Sequence, residues 1–147
     1  MPAPPRFLHT NVLLRYFTRD DEEKARRALA LLAHVERGDE RVVTSHAVIA
    51  EVVYTLQRFY KVPREQVRAL VAPLIALRGL QLSDKDLYGR AFALYVERRI
   101  SFTDAYNAAY MQARGLTEIY SWDTDFDRIA GLARVEPMLD DDERSVE

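Results

Sequence analysis

Short apolar, strand-like segments alternate with helical ones along the whole of this chain, and that alternation is its strongest constraint. Arg6-Phe7-Leu8-His9-Thr10 reads as a strand and runs directly into the apolar segment Asn11–Phe17. From Asp20 to Arg37, the residues Ala25, Leu29, Leu32 and Val35 recur at helical spacing, and Gly38 closes the segment. Arg41–Thr44 reads as a second strand, and Ser45 caps a helix running through Tyr60. A helix from near Pro63 to Gly79 contains Pro73, which is expected to kink or interrupt it. Leu80-Gln81-Leu82 is a very short strand, and Ser83 caps a helix reaching about Arg98. Thr103–Arg114 is helical and closed by Gly115. Glu118–Trp122 is a strand, Asp123–Ala130 a short helix, and Arg134–Glu136 a last strand. Strands and helices in this order predict an α/β fold whose parallel sheet is covered by helices. With 147 residues, one domain is expected, its core about residues 6–137 and its acidic tail, 138–147, frayed.

Composition removes several classes of function. There is no cysteine, which excludes disulfides, iron–sulfur clusters and zinc–thiolate sites. No apolar run is long enough to span a membrane, and the first residues lack the apolar core of a signal peptide, so a cytoplasmic location is expected. The net charge of −2 does not suit a protein that merely coats nucleic acid, so any such contact must use a local basic patch or metal ions. Arginine greatly outnumbers lysine, which reads as codon bias or as a preference for the better phosphate fork.

In an open parallel sheet, ligands bind beyond the carboxyl ends of the strands. His9, Thr10 and Asn11 follow the first strand there, and Asp123 and Asp125 follow the strand ending at Trp122. Glu51 and Asp104 lie on helices among apolar neighbours, where carboxylates are seldom found unless paired or bound to metal. Each has a plain structural reading: Glu51 as a solvated helix residue, Asp104 as an acid favoured by the helix dipole, Asp123 as an N-cap. Together they suit a carboxylate cluster for Mg²⁺ or Mn²⁺, ions that prefer oxygen ligands.

Four segments resemble motifs of one family. Arg6-Phe7-Leu8-His9-Thr10-Asn11-Val12-Leu13-Leu14-Arg15-Tyr16 resembles the opening of PIN-domain toxins of the VapC type, where an apolar strand leads into Asp-Thr-Asn and an apolar helix. Ile49–Leu56, with Glu51, resembles the family's central acidic helix. Phe102-Thr103-Asp104-Ala105 and Tyr120–Asp127 resemble its third and fourth acidic motifs. The resemblance implies a three-layer α/β/α fold with a central parallel sheet. It implies a divalent metal, Mg²⁺ or Mn²⁺, and water attacking an RNA phosphodiester. Glu51, Asp104 and Asp123 match the family's metal-site acids, Asp125 is an auxiliary acid, and Thr10 and Asn11 match residues supporting the site by hydrogen bonds. The resemblance also implies a homodimer that is paired with an antitoxin protein.

The departure is His9, which stands where the family has aspartate. Imidazole can ligate a metal, but losing a negative charge weakens Mg²⁺ binding, while Mn²⁺ tolerates nitrogen better. Impaired catalysis is therefore expected, with His9 either a natural feature of a weakened member or a disarming substitution. Among other folds with acids at strand ends, a dehalogenase-like phosphatase needs a nucleophilic aspartate where His9 stands. A response-regulator receiver needs a late lysine, and the last here is Lys85. The glycines are isolated, so no phosphate loop or nucleophile elbow exists. The remaining alternative is a PIN fold kept as a non-catalytic binding or scaffold module.

Overall fold

A computed structural model describes residues 4–139. Its elements follow the predicted alternation: β1 (Arg6–Phe7), α1 (Thr10–Thr18), α2 (Glu22–Arg37), β2 (Val42–Val43), α3 (His46–Arg58), α4 (Arg64–Ile75), β3 (Leu80–Gln81), α5 (Leu87–Glu97), α6 (Phe102–Ala113), β4 (Glu118–Tyr120), a 3₁₀ turn (Thr124–Arg128) and β5 (Ala133–Val135). The acidic tail that the sequence marks as frayed lies outside the described residues, apart from Met138 and Leu139.

Every strand pair is parallel, as helical crossovers require. β2 runs between β1 and β3, with Val42 facing Arg6 on one side and Leu80 on the other. β4 and β5 form a second ladder, in register from Glu118–Ala133 to Tyr120–Val135. The described strands thus form two separate parallel ladders, β1-β2-β3 and β4-β5. Because α1 already begins at Thr10, β1 keeps only two residues for pairing.

The helices bury their apolar stripes against these strands, giving the expected α/β/α arrangement. α3 contributes Val48, Ile49, Val52, Val53 and Leu56 to the core, a run at helical spacing that leaves Glu51 and Tyr54 outside. α5 and α6 pack together, burying Ala91, Phe92 and Tyr95 against Phe102, Ala105 and Ala108. Small residues on α6 permit that close approach. Phe126 and Ile129, 5% and 2% exposed, peg the 3₁₀ turn into the same core.

Three local expectations change. α4 runs through Pro73 but ends two residues later, at Ile75, short of the expected Gly79. Ser83 does not cap α5: residues 83–86 form turns, Asp84 takes a left-handed conformation (φ 56°), and the helix starts at Leu87 without a side-chain cap. The residue that caps α6 is Ser101, and the helix begins one residue earlier than predicted, at Phe102.

Candidate metal centre

Asp104 is placed by the first turn of α6. The Ser101 hydroxyl accepts a hydrogen bond from the Asp104 backbone N–H at 3.1 Å, starting the helix at that point. Phe102 and Ala105 on either side point into the core, which leaves the Asp104 carboxylate half-buried. Burial pushes its pKa above the usual carboxylate value. The Ser101 hydroxyl pulls it back down, and the charges of Asp123 and Asp125 push it further up.

Asp123 and Asp125 are brought to Asp104 by two successive side-chain turns after β4. The Asp123 N–H donates to Ser121 Oγ at 2.9 Å, and the Asp125 N–H donates to Asp123 Oδ1 at 2.9 Å. Folded this way, the chain brings one oxygen from each of Asp104, Asp123 and Asp125 within 4.8 Å of the others. Arg128 reaches Asp125 at 3.5 Å and offsets part of that charge. The donor set is all oxygen, and its most buried carboxylate carries a raised pKa. Both properties fit a hard divalent cation, which satisfies clustered carboxylates and removes the repulsion between them.

The other residues singled out in the sequence form a second group. His9 takes the extended N-cap position of α1, and its Nδ1 accepts a hydrogen bond from the Asn11 N–H at 3.2 Å. Thr10, only 2% exposed, donates its hydroxyl to Glu51 Oε2 at 3.1 Å. Asn11 is exposed and lines a basic cleft of about 470 Å³ with Arg15, Lys24 and Arg27. Glu51 is exposed, as its reading as a solvated helix residue has it. Arg58, the nearest cation in the sequence, lies over the Tyr54 ring instead of pairing with it. The structure therefore joins Asp104, Asp123 and Asp125, joins Thr10 to Glu51, and leaves His9 and Glu51 outside the close acidic trio.

Sequence reasoning missed Ser101, Ser121 and Arg128. The Ser-x-x-Asp spacing of Ser101 and Asp104 is a capping signal that could have been read. His46, the first residue of α3, stacks on Tyr106 at 3.8 Å and shares a 2.9 Å hydrogen bond with the Tyr88 hydroxyl. Its half-burial pulls its pKa down.

Comparison with known proteins gives the family of the chain. The family profile described as "PIN domain" matches residues 6–132, most of the chain. A VapC ribonuclease of Aquifex aeolicus (strain VF5) is 26% identical over 132 residues, covering 90% of this chain and 96% of that protein. The crystal structure of Mycobacterium tuberculosis VapC20, titled a Sarcin-Ricin loop cleaving toxin, is 27% identical, covers 89% of this chain and 98% of its own, and superposes with a TM-score of 0.38. With the profile spanning all four acidic motifs, the chain belongs to the PIN-domain family, and its likeness within that family is to a VapC ribonuclease.

Proposed function

We propose that this chain is a divalent-metal-dependent endoribonuclease of the toxin type, acting as one PIN domain on RNA in the cytoplasm. The observation that carries this reading is the convergence of Asp104, Asp123 and Asp125 from two separate elements. Asp104 and Asp123, with Glu51, are the metal-holding acids, and Asp125 is the auxiliary acid. Thr10 orients Glu51 through its hydroxyl, and Asn11 lines the approach beside it. His9 takes the remaining ligand position. When bound, Mg²⁺ or Mn²⁺ lowers the pKa of water and offsets charge on the attacked phosphate. The carboxylates would hold the cation and accept hydrogen bonds from the attacking water. Arg27 lines a cleft with Asn11 and adds positive charge there for a polyanion, beside Arg15 and Lys24, which pair with Asp20 and Asp21. A homodimer regulated by an antitoxin protein completes the proposal, in line with the resemblance to VapC-type toxins.

The test is RNA cleavage by this chain and by His9→Asp, in Mn²⁺, in Mg²⁺ and in EDTA. Metal-dependent cutting that is stronger in the aspartate variant is expected. Absence of cutting by both variants, with metal bound, would overturn the reading. A second reading, a PIN fold retained as a scaffold, is favoured by His9 serving as a helix cap outside the acidic trio. Failure of MnCl₂ to raise the thermal midpoint of either variant would support that reading.

A further inference from the structure

Trp122 is the only tryptophan of the chain. It stands 70% exposed immediately before Asp123, and Tyr120, two residues earlier, is 76% exposed. Single apolar residues on a surface are ordinary, but a large aromatic held rigidly beside a charged centre is not. The backbone on both sides of Trp122 is pinned. The Ser121 N–H donates to the Val135 carbonyl at 3.1 Å, Arg134 donates to the Ser121 carbonyl at 3.3 Å, and the Asp123 N–H donates to Ser121 Oγ at 2.9 Å. Its exposure therefore does not come from a loose loop. Trp122 lies in a bend directly before Asp123, and the Cα atoms of consecutive residues lie about 3.8 Å apart. Asp123 belongs to the trio with Asp104 and Asp125, so the exposed indole stands next to that trio.

The surroundings select the occupant. Ser121, Asp123, Thr124 and Asp125 flank Trp122 along the chain, and acidic residues of this kind are depleted at the centre of protein–protein interfaces. A nucleobase needs only one flat aromatic face, because stacking is tolerant of sequence and unpaired bases in RNA are commonly held this way. We propose that Trp122 is a base-stacking residue: an unpaired nucleobase next to the phosphodiester held at Asp104, Asp123 and Asp125 lies against its indole face. This inference rests on the nuclease reading given above, and it makes Trp122 a determinant of where the strand is cut.

The lone tryptophan makes the test direct. The chain is titrated with a labelled, single-stranded, twelve-nucleotide RNA of randomised sequence in CaCl₂, and recovery of intact RNA serves as the control. Anisotropy of the label reports binding while tryptophan emission reports stacking. Quenching that saturates at the same RNA concentration as the anisotropy is expected. Trp122→Phe should bind within about two-fold of the parent, and Trp122→Ala roughly ten-fold more weakly, with an unchanged thermal midpoint. Binding without quenching, or equal binding by Trp122→Ala, would overturn the stacking role and leave the nuclease reading standing. Absence of RNA binding also overturns it, and cleavage of total cellular RNA then judges the nuclease reading separately. Emission that changes with protein concentration alone, alongside dimer formation, would reassign the surface to a protein contact.

Discussion

The Thr10 hydroxyl donates to the Glu51 carboxylate at 3.1 Å, across 41 residues of chain. This bond ties the first turn of α1 to an exposed position on α3, and it gives an acid with few restraints of its own a fixed direction. Thr10 is buried, so Thr10→Val keeps the shape of the site and deletes only the donor. The variant should lose about 1–2 kcal/mol of stability in denaturant melts and roughly ten-fold in cleavage rate. An unchanged rate would show that Glu51 needs no anchoring.

Asp104 carries a cost that Asn would remove. Its pKa is raised in the folded state, chiefly by burial, so the folded protein holds that proton more tightly than the unfolded chain. Its contribution to stability then falls as pH rises from the ordinary carboxylate range through the raised value, and the full penalty persists at neutral pH. In metal-free buffer at pH 7, Asp104→Asn should melt at a higher temperature than the parent. That advantage should shrink as pH is lowered through the carboxylate range. Cleavage should be lost at the same time.

MnCl₂ should raise the thermal midpoint of the parent chain, by about 3 kcal/mol of stabilisation at a hundred-fold excess over the dissociation constant. The same addition should leave Asp104→Asn or Asp123→Asn almost unmoved. Equal shifts in all three proteins would place the bound ion elsewhere.

Position 9 has two separable duties. As the cap of α1, His9 accepts a hydrogen bond from the Asn11 N–H, a task that aspartate performs equally well. His9→Asp should therefore keep the thermal midpoint while raising Mg²⁺-supported cleavage by roughly ten-fold or more. His9→Ala should lose about 1 kcal/mol with the cap. Parallel measurements of melting and cleavage separate the two duties.

The start of β3 has no room for a side chain at Gly79. A Cβ there would lie 2.3 Å from the Glu40 carbonyl oxygen and 2.7 Å from that of Val35. Both contacts are backbone and cannot swing away. Gly79→Ala should cost about 2–3 kcal/mol, measured by urea unfolding, without touching any site residue.

The order of elements was legible because apolar spacing and punctuating residues agree along most of the chain. Gly38 closes α2 in the left-handed conformation (φ 82°) that only glycine adopts freely, as its place after the helical run suggested. Ser45 likewise caps α3. Ser83 misled because a capping residue type does not fix the helix start: the left-handed turn at Asp84 delays α5 to Leu87. Pro73 was a sounder signal, since the helix ends two residues beyond it.

At the site, Asp104, Asp123 and Asp125 were legible because a helix start and a strand end bring them to one place. The exposure of Glu51 agrees with its reading as a solvated helix residue, because its apolar sequence neighbours occupy the other side of α3. The two hydroxyls that aim the acids, Ser101 and Ser121, act through backbone N–H groups, and side-chain chemistry alone does not announce that role.

All three clustered acids come from the α6–β4–3₁₀ stretch, whereas position 9 belongs to the cap of α1. Histidine satisfies the head of α1 as its cap, while the acidic trio keeps the geometry set by its own serine and aspartate turns. Under the proposed function, one codon at position 9 would change a ligand of the centre and leave the scaffold of the other acids standing.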